Sequence, residues 1–90
     1  MYKASGKIIV AFPRTNGVTR DNRDWEKREY VLEADDRYRS KMRFSMMSFD
    51  GEIENPPAVG DMVNIGFTIE CREYKENWFN DIRAYQIEIL

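Results

Sequence analysis

Ninety residues, with 14 Lys and Arg against 16 Asp and Glu, 42% apolar residues and no histidine, describe one globular domain, residues 1–90, with a small core. The missing histidine removes the commonest general base and metal ligand, and the lone Cys71 removes an intrachain disulfide and any zinc site of the usual N/S kind. No apolar run approaches the roughly 20 residues of a membrane span, and no apolar signal region follows Met1, so a reducing cytoplasm is the expected setting.

In chain order, the pattern predicts five strands and almost no helix. The first runs from Lys3 to Phe12, with Ile8, Val10 and Phe12 on one face and Ile9 and Ala11 on the other; Pro13 ends it. Residues 14–24 read as a polar loop with Asn16-Gly17 as its turn. The second strand spans about Trp25 to Ala34, with Tyr30, Leu32 and Ala34 inward and Trp25, Lys27, Glu29, Val31 and Glu33 outward. After Asp35-Asp36 comes a third strand, ending near Phe49. Residues 50–60 hold Pro56-Pro57 and leave room for one helical turn at most. A fourth strand starts at Asp61, with Val63, Ile65, Phe67, Ile69 and Cys71 on one face, so Cys71 reads as a buried small hydrophobe. Tyr74 to Asn77 is a hairpin turn, and the fifth strand runs from Trp78 to Leu90. There Ile82 and Ala84 have one parity and Tyr85, Ile87 and Ile89 the other, which a β-bulge near Ala84 would reconcile.

The third strand carries the most informative feature. Arg37, Arg39, Lys41 and Arg43 occupy alternate positions, opposite in parity to Tyr38, Ser40, Met42, Phe44 and Met46. Strand side chains alternate between faces, so the run predicts an apolar face and a cationic face suited to phosphates. The charge is also unevenly divided: residues 1–43 hold eleven basic and seven acidic residues, while residues 44–90 hold three and nine. A local positive surface is therefore compatible with a net charge of −2. The same asymmetry fits head-to-tail self-association. No Gly-rich phosphate loop or nucleophile elbow is present. Asp50, Glu52, Glu54 and Asp61 read as a solvated acidic loop rather than a Mg²⁺ site. The expectation is a non-enzyme without cofactor or metal.

Five short antiparallel strands with a long first loop match the oligonucleotide/oligosaccharide-binding (OB) barrel, an all-β, five-stranded, OB-like Greek-key barrel with little or no helix. The last third, Gly60-Asp61-x-Val63-x-Ile65-x-Phe67-x-Ile69-Glu70-x-Arg72-x-Tyr74 with Trp78 and Ala84-x-x-Ile87, resembles the closing hairpin of bacterial single-stranded-DNA-binding proteins. Gly6-Lys7-Ile8-Ile9, Trp25-x-Lys27-x-Glu29-x-Val31-Leu32-Glu33, Glu70-x-Arg72-Glu73-Tyr74 and Trp78-x-Asn80-Asp81-Ile82-Arg83-Ala84 resemble, over nearly the whole chain, a small bacterial family catalogued as domain of unknown function 3127. That resemblance implies an OB-like fold and a role with single-stranded DNA, and supplies no active site. The 50–60 link looks shorter and more acidic than the helical segment of single-stranded-DNA-binding proteins, and the chain stops without their acidic partner-recruiting tail.

The candidate nucleic-acid-binding residues are Trp25 and Lys27, the cations Arg37, Arg39, Lys41 and Arg43, and Arg72, Tyr74 and Trp78 around the last hairpin. An outward Trp25 beside Lys27 offers a stacking platform with a phosphate clamp, unless it caps the barrel end or a subunit contact. Tyr74 and Trp78 either stack on bases or form a cross-strand aromatic pair. Asp81 and Arg83 read as a structural ion pair, and Met47, Phe49 and Tyr2 as outward apolar residues of a homodimer or higher homo-oligomer. Single-stranded DNA or RNA, in a bacterial or phage setting, is the expected partner, with no membrane. The alternative is a protein–protein or self-assembly module on the same barrel without nucleic-acid binding.

Overall fold

Period-two alternation dominates because each strand must present one apolar face to a shared interior. The computed structural model describes residues 1–90, which form six strands and no helix: β1 (Tyr2–Ala11), β2 (Thr15–Val18), β3 (Asp24–Ala34), β4 (Lys41–Phe49), β5 (Met62–Tyr74) and β6 (Asn77–Ile89). No helix is long and apolar enough to cross a membrane.

The strands close into a ring. β1 pairs antiparallel with both β3 and β5, β3 with β4, and β5 with β6. A parallel contact of β4 and β6 at Ser45 and Arg83 completes it. A five-stranded ring with one parallel closure between its third and last members is an OB-like barrel. β2 adds a sixth strand on the outer part of β3. Gly6 lies where β1 passes from β5 to β3, paired with Val63 and Ala34 at once. A Cβ there would collide with the Glu33 carbonyl, so no other residue fits without moving backbone.

Ile8, Tyr30, Leu32, Phe44, Val63, Ile65, Phe67 and Ala84 fill the interior, with Tyr30 and Phe44 stacked at 5.5 Å. Met42, Met46, Ile82 and Ile87 pack around them. The expected bulge is present: Phe67 faces Ala84 and Gly66 faces Gln86, so Tyr85 is the extra residue. It brings Ala84 and Ile87 onto one face and leaves Tyr85 exposed.

Four expectations are corrected. A second bulge between Ile8 and Val10 turns Val10 outward, so Ile8 and Val10 do not share the core. Asn16-Gly17 is not a turn but the middle of β2; the chain reverses at Thr19–Arg23, where the Thr19 carbonyl accepts the Asn22 amide and the Arg23 carbonyl accepts the Thr19 amide. Asn22 takes the left-handed conformation there at φ 62°. Arg37 and Arg39 are not on a strand, because Asp36 organises residues 35–40 into a turn. Its carboxylate accepts the amides of Tyr38 (3.0 Å) and Ser40 (3.1 Å), and Arg39 sits at φ 50°. Tyr38 is accordingly 80% exposed rather than core. Finally, Cys71 is exposed, since the barrel stops covering the β5–β6 hairpin at Thr68.

Candidate nucleic-acid interface

The outward face of β3 and β4 is built in cross-strand rows: Trp25 with Phe49, Lys27 with Met47, Glu29 with Ser45, Val31 with Arg43, and Glu33 with Lys41. β2 and β1 extend these rows with Gly17 beside Trp25, Thr15 beside Lys27, Val10 beside Val31 and Lys7 beside Glu33. Trp25, Lys27, Lys41 and Arg43 therefore share one surface, as parity predicted. Arg37 and Arg39 lie in the turn beyond Lys41, where Arg37 stands 5.7 Å over the Tyr38 ring. The turn's amides, that of Ser40 foremost, hold the Asp36 carboxyl below the ordinary aspartate range.

The surface is less cationic than the basic run implied. Arg43 bonds Glu29 through Nη2 (2.9 Å) and Nε (3.0 Å), and its guanidinium lies 4.4 Å over the Phe12 ring. Lys27 Nζ is 3.9 Å from the same carboxylate. Arg23 bonds Asp50 at 2.9 Å and stands 5.2 Å over Phe49. Arg23 and Arg43 thus each present a planar charge beside an aromatic ring.

Trp25 is half-buried, not free. Its indole lies on Gly17, where an added Cβ would come within 2.8 Å of Cζ2. It forms one wall of a cleft of about 320 Å³ with Arg14, Asn16 and Glu52. At the bottom of that cleft is Glu26, only 3% exposed, a residue that sequence reasoning missed although it shares parity with Tyr30 and Leu32. Glu26 accepts the Ile53 amide (3.0 Å) and the Arg28 guanidinium (2.6 Å), with Arg14 at 3.9 Å. The Ile53 amide, then the arginines, hold its carboxyl below the ordinary glutamate range against the opposing effect of burial. Burial pushes the neighbouring Tyr30 phenol up.

Arg72, Tyr74 and Trp78 lie elsewhere, on the β5–β6 hairpin, where residues 69–80 are all exposed. Tyr74 and Trp78 do not form an aromatic pair: Tyr74 faces Asn77 and Trp78 faces Glu73, on opposite sides of the ribbon. Asp81 and Arg83 do not pair with each other either; Asp81 meets Arg72 at 3.4 Å and Arg83 meets Glu70 at 3.7 Å, because the diagonal cross-strand partners are nearer. Met47 and Phe49 are exposed as parity predicted, and Tyr2 is exposed too, with its ring stacked on Phe67. No group of three or more Cys, Asp or Glu side chains converges as a cation would require.

A search of curated proteins finds no match to this chain. Residues 3–88 match the family described as Domain of unknown function (DUF3127), the one whose motifs the sequence resembles, and the chain belongs to that family.

Proposed function

We propose that the protein binds single-stranded nucleic acid, DNA foremost, across the outward β3–β4 face, without catalysis, in a reducing bacterial cytoplasm or a phage-infected one. The observation that carries this reading is the continuous surface from the Arg37–Arg39 turn through Lys41, Arg43 and Lys27 to Trp25 and Phe49, on which cations alternate with aromatic rings. Phosphates would follow the cations and bases would stack on the rings, so recognition is tolerant of sequence.

Fluorescence titration with poly-dT at two salt concentrations tests it. The Trp25 indole, which lies on this face, reports binding, and three to four neutralised phosphates give a log–log salt slope between about −2 and −3. Binding that is absent at low salt overturns the reading. A second reading, a protein-assembly module with no nucleic-acid partner, is supported by the exposed apolar residues Ile69, Trp78 and Phe79 of the β5–β6 hairpin. It predicts association that salt leaves unchanged or strengthens.

A further inference from the structure

The second half of β5 has a lengthy unpaired edge. β1 accompanies it only as far as the Tyr2–Phe67 pair, so Thr68 to Tyr74 has β6 on one side and no strand on the other. The outer edge of β6 meets β4 at the single Ser45–Arg83 bridge, and Asn80, Asp81 and Ile82 line a groove with Arg43, Phe44 and Ser45 of β4. Strand edges carry unpaired N–H and C=O groups and are normally closed by proline, a bulge or a row of like charges. The segment Thr68-Ile69-Glu70-Cys71-Arg72-Glu73-Tyr74 has no proline and no bulge, and its charges alternate in sign.

That alternation is self-complementary. Glu70 and Arg72 stand one residue either side of Cys71. In an antiparallel pair centred on Cys71, Glu70 faces the partner's Arg72, and Arg72 faces the partner's Glu70. Ile69 faces the partner's Glu73, and no like charges meet directly. The internal contacts of these two residues, 3.4 Å for Arg72–Asp81 and 3.7 Å for Glu70–Arg83, involve exposed side chains and leave both free to bond further. A nucleic-acid strand is the poorer occupant. Over residues 69–80, Glu70, Glu73 and Glu76 outnumber Arg72 and Lys75, which repels phosphate.

We propose that a second copy of this chain pairs antiparallel along the β5 edge at Thr68–Tyr74, with Cys71 opposite Cys71 on a two-fold axis. The result is a symmetric dimer whose sheet runs continuously through both hairpins. It leaves the β3–β4 faces of both copies uncovered, and it stands or falls independently of nucleic-acid binding.

The test uses the full chain without oligonucleotide. Under reducing conditions, light scattering at high micromolar concentration should give a dimer. Glu70→Arg should weaken dimerisation at least tenfold, and Glu70→Arg combined with Arg72→Glu should restore it, because the swapped charges are again complementary. Directly opposed antiparallel residues have Cα atoms about 4.5–5.5 Å apart, within disulfide range. Mild oxidation should therefore link the wild type through Cys71 into a covalent dimer. Trp78→Cys in a Cys71→Ser background should not cross-link, since two strands separate that position from its mate. Circular dichroism melts keep folding separate from assembly. A wild type that is monomeric at these concentrations overturns the proposal. So does a dimer that Glu70→Arg leaves intact, or one that Cys71 fails to cross-link.

Discussion

The β3–β4 and β5–β6 hairpins each contain five aromatic residues, counting their turns: Trp25, Tyr30, Tyr38, Phe44 and Phe49 in one, Phe67, Tyr74, Trp78, Phe79 and Tyr85 in the other. In the first, Tyr30 and Phe44 are in the core and Trp25 is half-covered; in the second, only Phe67 is buried. The cause is the neighbours rather than the residues. β3 has β1 or β2 on one edge and β4 on the other along most of its length, whereas beyond Thr68 the β5–β6 ribbon has no third strand. A strand that is flanked and curved into a ring buries its inner parity, while an identical alternation on a two-stranded arm stays exposed. The same chain thus holds one aromatic surface on a rigid scaffold and another on a projecting ribbon.

The sharpest break between the two regions lies at Glu26. Its carboxylate anchors the Ile53 amide and two arginines beneath Trp25, and no residue of the arm has an equivalent role. Glu26→Ala leaves Arg28 and the Ile53 amide unpartnered and should cost about 3 kcal/mol, a drop in melting temperature of more than about 10 °C. Because the folded carboxyl is more acidic than the unfolded one, its contribution is complete above the ordinary glutamate range and disappears as pH falls through the lower folded value. Glu26→Gln should flatten this acid limb of the stability profile, measured as melting temperature against pH. An unchanged limb assigns acid unfolding to other carboxylates.

The two tryptophans give the next contrast. Trp25→Ala removes the ring that covers Gly17 and should destabilise by roughly 1–2 kcal/mol as well as weakening oligonucleotide binding by roughly 1–3 kcal/mol. Trp78→Ala should stay within about 0.5 kcal/mol of wild-type stability, since 66% of that residue is exposed. Chemical denaturation of both variants, paired with titration, decides whether the arm contributes any stacking. Equal losses of affinity would place both aromatic surfaces on one ligand.

Charge neutralisation sharpens the comparison further. Arg37→Gln, Arg39→Gln and Lys41→Gln together should weaken oligonucleotide binding at least tenfold, about 1.4 kcal/mol, and lower the magnitude of the salt slope by about 2. The three are exposed and make no salt bridge in the fold, so stability should hold. Arg72→Gln on the arm should leave the slope alone. A slope unchanged by the triple variant removes the turn from the interface.

The smallest effect concerns the arm's tip. Lys75 and Glu76 both have positive φ, 50° and 66°, the geometry of a two-residue type I′ turn made here without Asn or Gly. Replacing them with Asn-Gly should stabilise the hairpin by about 0.5 kcal/mol, visible as slower amide exchange in residues 69–80 and little change elsewhere.

The strand alternations, the bulge at the end of the chain and the outward parity of Trp25, Lys27, Lys41 and Arg43 were readable from residue order, because period two is a local property of the backbone. Four things were not. β2 was hidden since Asn16-Gly17 is a strong turn signal, and only pairing with β3, where Gly17 leaves room for the Trp25 indole, makes it a strand. Arg37 and Arg39 kept the strand's spacing by coincidence, while Asp36 captured the amides that a strand would have needed. Glu26 has the parity of the core but the chemistry of the surface, and its burial follows from Arg14, Arg28 and Ile53, brought together from separate segments. Ile69, Cys71 and Trp78 repeat the pattern of Val63, Ile65 and Phe67 and yet lie in solvent. Residue order determines which face of a strand is apolar; whether that face is covered depends on where the ring of strands closes, and this barrel closes at Ser45 and Arg83, short of the arm.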